Sequence, residues 1–114
     1  MKLIVYVLIK VELLQMLLTK LADSKVSGAT IIDSSGMGRE LAEVDEFSIF
    51  GSLRSLFNSN NRQTKTLLFV AKDEQLEIIT KVIESVVGSL EGPDSGIIFS
   101  VPIDYVKGFK THSK

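Results

Sequence analysis

The sequence predicts an α+β sandwich of order βαββαβ, in which a four-stranded antiparallel sheet carries two helices on one face. Three observations predict it: four short runs rich in β-branched residues, two intervening stretches with apolar residues at helical spacing, and glycine-containing breaks between them. At 114 residues the chain can bury one core, so 1–114 is expected to form a single domain.

Leu3 to Ile9 is an unbroken apolar run, too short to cross a bilayer and closed by Lys10 and Glu12. No small-residue cleavage site follows it, and it reads as a central strand covered on both faces. From Leu13 the spacing changes. Leu13, Leu14, Leu17, Leu18 and Leu21 fall on one helix face, with the helix expected to end near Ser27-Gly28.

Ala29 to Ser34 is the second strand, and Ser35-Gly36-Met37-Gly38 reads as its exit, the two glycines permitting unusual backbone angles. After a long connection, Thr64 to Ala71 gives a third strand. Asp73 stands where an N-cap is needed for a helix whose apolar face holds Leu76, Ile79, Ile83 and Val86. Gly88 stops that helix, Gly92-Pro93-Asp94-Ser95-Gly96 makes a turn, and Ile97 to Val101 is the fourth strand. This order is that of the ferredoxin-like split βαβ arrangement.

Two helices cover one face of such a sheet, yet the first strand is apolar on both faces and the fourth sets Ile98 against Ile97 and Phe99. The second face needs a cover. Further copies of the chain would supply it, because a bare apolar sheet face exceeds what monomers ordinarily expose; a core mismatch or a loop folded over the sheet is the alternative.

Composition narrows the function. Thirteen basic and fourteen acidic side chains give a net charge of -1, so no bulk field draws the protein to nucleic acid or anionic lipid. The absence of cysteine removes disulfides and thiolate chemistry and suits a reducing, cytoplasmic setting. The one histidine, His112, is the third residue from the end, leaving no histidine or cysteine in the body of the chain to serve as nucleophile or orienting base. No catalytic residue is assigned. Glu40, Glu43, Asp45 and Glu46 form an acidic cluster that reads as a solvated loop, and no metal site is assigned.

The run Gly28-Ala29-Thr30-Ile31-Ile32-Asp33-Ser34-Ser35-Gly36-Met37-Gly38-Arg39 resembles the PII signalling proteins, whose second strand ends in a Gly-aromatic-Gly-Arg segment. Gly96 to Val106 is similar to that family's last strand and following turn. The resemblance implies a PII-like domain with 40–63 as the equivalent of the long T-loop. It also implies a homotrimer with its sheets facing the threefold axis, and adenine nucleotides bound in clefts between subunits.

Carried over residue by residue, the first contact segment is Gly36, Met37, Gly38 and Arg39, with Met37 replacing the usual aromatic and Glu40 replacing a glutamine. In the second segment Asp94-Ser95-Gly96-Ile97 replaces Gly-Asp-Gly-Lys, so only Gly96 matches and a phosphate-binding lysine is missing. In the third, two family arginines fall on Gly108 and Lys110, leaving Lys107 and Lys110 as phosphate contacts and Thr111 as a match. Tyr6 and Tyr105 are the only tyrosines, so the connection has none to be uridylylated.

Read without the family, a Gly-x-Gly pair either exposes backbone N–H groups to an anion beside Arg39 or simply lets the chain leave the sheet. Inside the connection, Phe47, Phe50, Leu53, Arg54 and Phe57 form a segment with Phe50, Leu53 and Phe57 at helical spacing. It either packs on its own assembly or docks on a partner.

The expected function is a trimeric sensor of an adenine nucleotide or related anionic metabolite that regulates a target enzyme or membrane transporter. The alternative is a ligand-independent interaction module built on 47–57. Phe50 separates them: if the segment packs on its own assembly, Phe50→Ala lowers stability by about 3 kcal/mol in chemical denaturation. If it is a recognition helix, stability holds while partner binding collapses.

Overall fold

The computed structural model describes residues 1–26, 28–42 and 63–109. In chain order, β1 (Lys2–Leu8) leads through a 3-10 turn at Val11–Leu13 into α1 (Leu14–Asp23), followed by β2 (Thr30–Ser35) and α2 (Met37–Ala42). Then come β3 (Gln63–Ala71), α3 (Gln75–Val87) and β4 (Ile97–Pro102). All pairings are antiparallel and the sheet order is β2-β3-β1-β4. Both long crossovers therefore skip a strand, as the split βαβ order requires. The expected α+β, ferredoxin-like sheet is present, with α2 as an addition.

Alternation along β1 sorts the two faces. Ile4, Tyr6 and Leu8 are fully buried and, with Leu67 and Phe69 of β3, face Leu17 and Leu21 of α1 and Ile79, Ile83 and Val87 of α3. Pairing of Tyr6 with Leu67 and of Ile4 with Phe69 sets these side chains next to one another across the ladder. Burial of each such large apolar side chain contributes about 1.5–3 kcal/mol relative to leaving it in water.

The opposite face is apolar too. Leu3, Val5 and Val7 pair with Val101, Phe99 and Ile97 on one side and with Val70, Leu68 and Thr66 on the other. Ile97 is 59% exposed and Phe99 49%, and Ile32, Val70 and Val101 are exposed beside them. The two-faced apolar pattern of the first and fourth strands is thus a property of the folded subunit.

Helix α1 stops four residues short of Ser27-Gly28. Lys25 takes a left-handed φ of 68°, its N–H donates to Ala22 O at 3.0 Å, and Val26 N–H donates to Leu21 O at 2.9 Å. That is a Schellman ending with Val26 and Leu21 both buried in the core behind it. The left-handed position carries lysine rather than glycine, which is why composition pointed further along the chain. At α3, Gly88 ends the helix at φ 91° as expected, but Asp73 makes no capping bond. Its carboxylate lies 3.1 Å from the Met1 ammonium, which holds it below the ordinary carboxylate range.

The Lys25 conformation yields a test. A non-glycine residue in the left-handed region is disfavoured by about 1–2 kcal/mol, partly offset by the greater unfolded-state freedom of glycine. Lys25→Gly should raise the stability measured in urea by up to about 1 kcal/mol, whereas the β-branched Lys25→Val should lower it.

Candidate functional site

One end of the sheet gathers most of the expected contact residues. The last residues of β2 pair with the first of β3, Ser35 with Gln63 and Ser34 with Thr64, and Thr66 pairs with Val7 near the end of β1. Ile97, the first residue of β4, pairs with that same Val7. Gly36, which follows β2, and Gly96, which precedes β4, therefore lie at the same end.

The segment after β2 is helical rather than an open exit turn. Met37–Ala42 forms α2, with Glu40 N–H donating to Gly36 O at 3.1 Å. Neither Gly36 nor Gly38 takes a positive φ, and a Cβ added to Gly36 would meet open space. The backbone freedom read for these two glycines is not what the fold uses. Met37 is 74% exposed, and Arg39, in the last turn of α2, is half-buried. The connection expected over 40–63 thus begins inside a helix.

A cavity of about 370 Å³ opens beside this segment, bounded by Gly36 and Gly38, by Val7 and Ile9, and by Ser34, Thr64 and Thr66. Strand alternation puts Val7, Ser34, Thr64 and Thr66 on the face turned away from α1 and α3. Sequence reading did not single out these hydroxyl residues, because they converge only through the β2–β3 register. Residue type alone carried no signal.

Gly96 is fixed by a close approach. It adopts φ 91°, and a Cβ there would overlap the Val7 carbonyl oxygen and press on the Tyr6 ring. Asp94 is also left-handed, at φ 59°. The buried Tyr6 hydroxyl donates to Ser95 O at 2.5 Å, and Ser95 Oγ donates to Gly92 O at 2.6 Å. The turn before β4 is thereby tied to the core through β1.

Lys107 lies elsewhere. β4 runs from its Ile97–Val7 pair to its Pro102–Lys2 pair, and Ile103 N–H then donates to Met1 O at 3.1 Å. Five residues of strand separate these ends by about 17 Å. The exposed Lys107 follows the far end of β4, five residues beyond Pro102. Phe47, Phe50, Leu53, Arg54, Phe57 and Lys110 lie outside the described residues.

The chain is thus a small split βαβ domain with an open apolar sheet face and a glycine-flanked cavity at one strand end. The profile of the nitrogen regulatory protein P-II family matches residues 1–113, and the chain belongs to that family. Comparison with individual curated proteins gives no match. Family membership makes the chain a PII-like signalling regulator and not an enzyme. No helix among the described residues is long and apolar enough to cross a membrane.

Burial pushes the Tyr6 hydroxyl up to about 12 from an ordinary value of 10.0. A pKa higher in the folded than in the unfolded chain adds stability that is complete below pH 10 and is lost as pH rises from 10 towards 12. Stability of the native protein should fall more steeply over that window than stability of Tyr6→Phe, followed by denaturation at stepped pH. At neutral pH, Tyr6→Phe should cost about 1–2 kcal/mol, since the Ser95 carbonyl loses its donor.

Proposed function

We propose that the protein is a homotrimeric sensor that binds an adenine nucleotide or a related anionic metabolite in clefts between subunits. Occupancy changes the conformation of the 40–63 connection and so its affinity for a target enzyme or membrane transporter. The whole of 1–114 serves as one sensing domain, working in the cytoplasm.

One observation carries this reading: the expected contact segments join the sheet at opposite ends. Gly36 to Arg39 and Gly96 share one end, and Lys107 follows the other. A second copy that placed its Lys107 against the first copy's Gly36–Arg39 segment would complete the site. The apolar face bearing Ile97, Phe99 and Val101 offers the surface on which such copies pack. Members of the P-II family are typically homotrimers, which supports the same assembly.

Light scattering at micromolar concentration should give three times the mass of the chain, and Phe99→Asp should give a smaller species. A monomeric native protein would end the intersubunit reading. Calorimetric titration with AMP, ADP, ATP and cyclic dinucleotides should show binding that Arg39→Ala weakens without changing assembly. Failure of every nucleotide to bind would end the nucleotide reading.

A further inference from the structure

The turn between α3 and β4 holds two left-handed residues, Asp94 at φ 59° and Gly96 at φ 91°. Backbone of this kind persists where the surrounding structure fixes it. Among the described residues, most hydrogen bonds of the stretch are local: Leu90 N–H donates to the Glu84 carboxylate at 3.1 Å, Gly92 N–H to Ser89 O at 3.0 Å, and Ser95 Oγ to Gly92 O at 2.6 Å. Those bonds shape the turn without setting its place on the sheet. Leu90 rests against the core at the α3 end, and at the β4 end the Tyr6 hydroxyl, 89 residues away in sequence, donates to Ser95 O.

The Tyr6 hydroxyl is delivered from a fixed support. Its ring is fully buried in the core, on a strand position paired with Leu67 on one side and Ile98 on the other. Ser95 is buried too, so water does not compete for the bond. Gly96, an expected ligand contact, is the next residue, and its backbone already abuts the Val7 carbonyl. A turn released at Ser95 would carry Gly96 with it.

We propose that Tyr6 is a positioning residue for ligand binding: its hydroxyl fixes the turn before β4 in the free protein, so that Gly96 meets the ligand already in place and the turn undergoes no ordering on binding. Fully buried, Tyr6 touches no ligand itself. The assignment rests on the reading that Gly96 contacts a nucleotide. Without the hydroxyl the ring still fills its place, but the binding-competent turn is populated only in part, and the apparent affinity falls by that fraction. Loss of one hydrogen bond of ordinary strength sets the fall at about threefold to tenfold.

Amide relaxation of the labelled full chain, measured by NMR, and calorimetric titration test it together. The probe is whichever of AMP, ADP, ATP and the cyclic dinucleotides the native protein binds most tightly. In the native protein the Ser95 and Gly96 amides should be as rigid as those of β1 before the probe is added, and unchanged after it. In Tyr6→Phe they should be loose when free and regain order on binding, with affinity lowered about threefold to tenfold. Ile79→Val, which thins the same core in the half of α3 remote from the turn, should lower stability and leave affinity unaltered. A native turn that becomes ordered only when the probe binds would overturn the assignment, and that measurement needs no variant to fold. Equal affinity in Tyr6→Phe and the native protein, or an equal loss in Ile79→Val, would also overturn it. Those outcomes leave the nucleotide reading standing; a native protein that binds none of the probes ends that reading and this assignment with it.

Discussion

The structure depends on β1 being apolar on both faces while helices cover only one of them. Ile4, Tyr6 and Leu8 point into a core closed by α1 and α3, and Leu3, Val5 and Val7 point the other way between Val101, Phe99, Ile97 and their β3 counterparts. A strand at the centre of a sheet cannot shift register by one residue without exchanging these two sets. The pairing of β1 with both β3 and β4 therefore fixes where Gly96, Thr66 and the end of β2 stand relative to one another. The geometry of the cavity is a by-product of that register.

The turn before β4 follows the same logic. Its backbone comes so near Val7 and Tyr6 that only a residue without a side chain fits at position 96, and the Tyr6 hydroxyl meets the carbonyl that would otherwise be buried without a donor. In the P-II resemblance Gly96 is the one match in a segment otherwise altered. The fold explains why: the requirement there is steric and local to this subunit, whatever the ligand.

Much of this was legible in the sequence because the signals were local. Strand runs at Leu3, Ala29, Thr64 and Ile97 and the helix faces through Leu17 and Ile79 rest on periodicity, which survives without tertiary knowledge. The misplaced end of α1 rests on Lys25, whose left-handed backbone no residue type announces. Helix α2 was obscured by Gly36 and Gly38, which read as breakers although Arg39, Glu40, Leu41 and Ala42 favour a helix. The Ser34, Thr64 and Thr66 cluster required the register of β2 on β3, and the exit of the Lys107 segment from the sheet end opposite Gly36 required the direction of β4. Neither can be counted off along the chain.

The chain contains no tryptophan and two tyrosines, and the fold gives those two opposite surroundings. Tyr6 is fully buried with its hydroxyl engaged by the turn at Ser95, while Tyr105 is 77% exposed beyond β4. The tyrosine band of the near-ultraviolet spectrum is thus a two-chromophore signal, one part rigid and asymmetric, the other averaged by solvent. Any displacement of the turn ahead of β4 registers in the circular dichroism of a single residue, so the molecule carries an optical gauge of that turn without an added label.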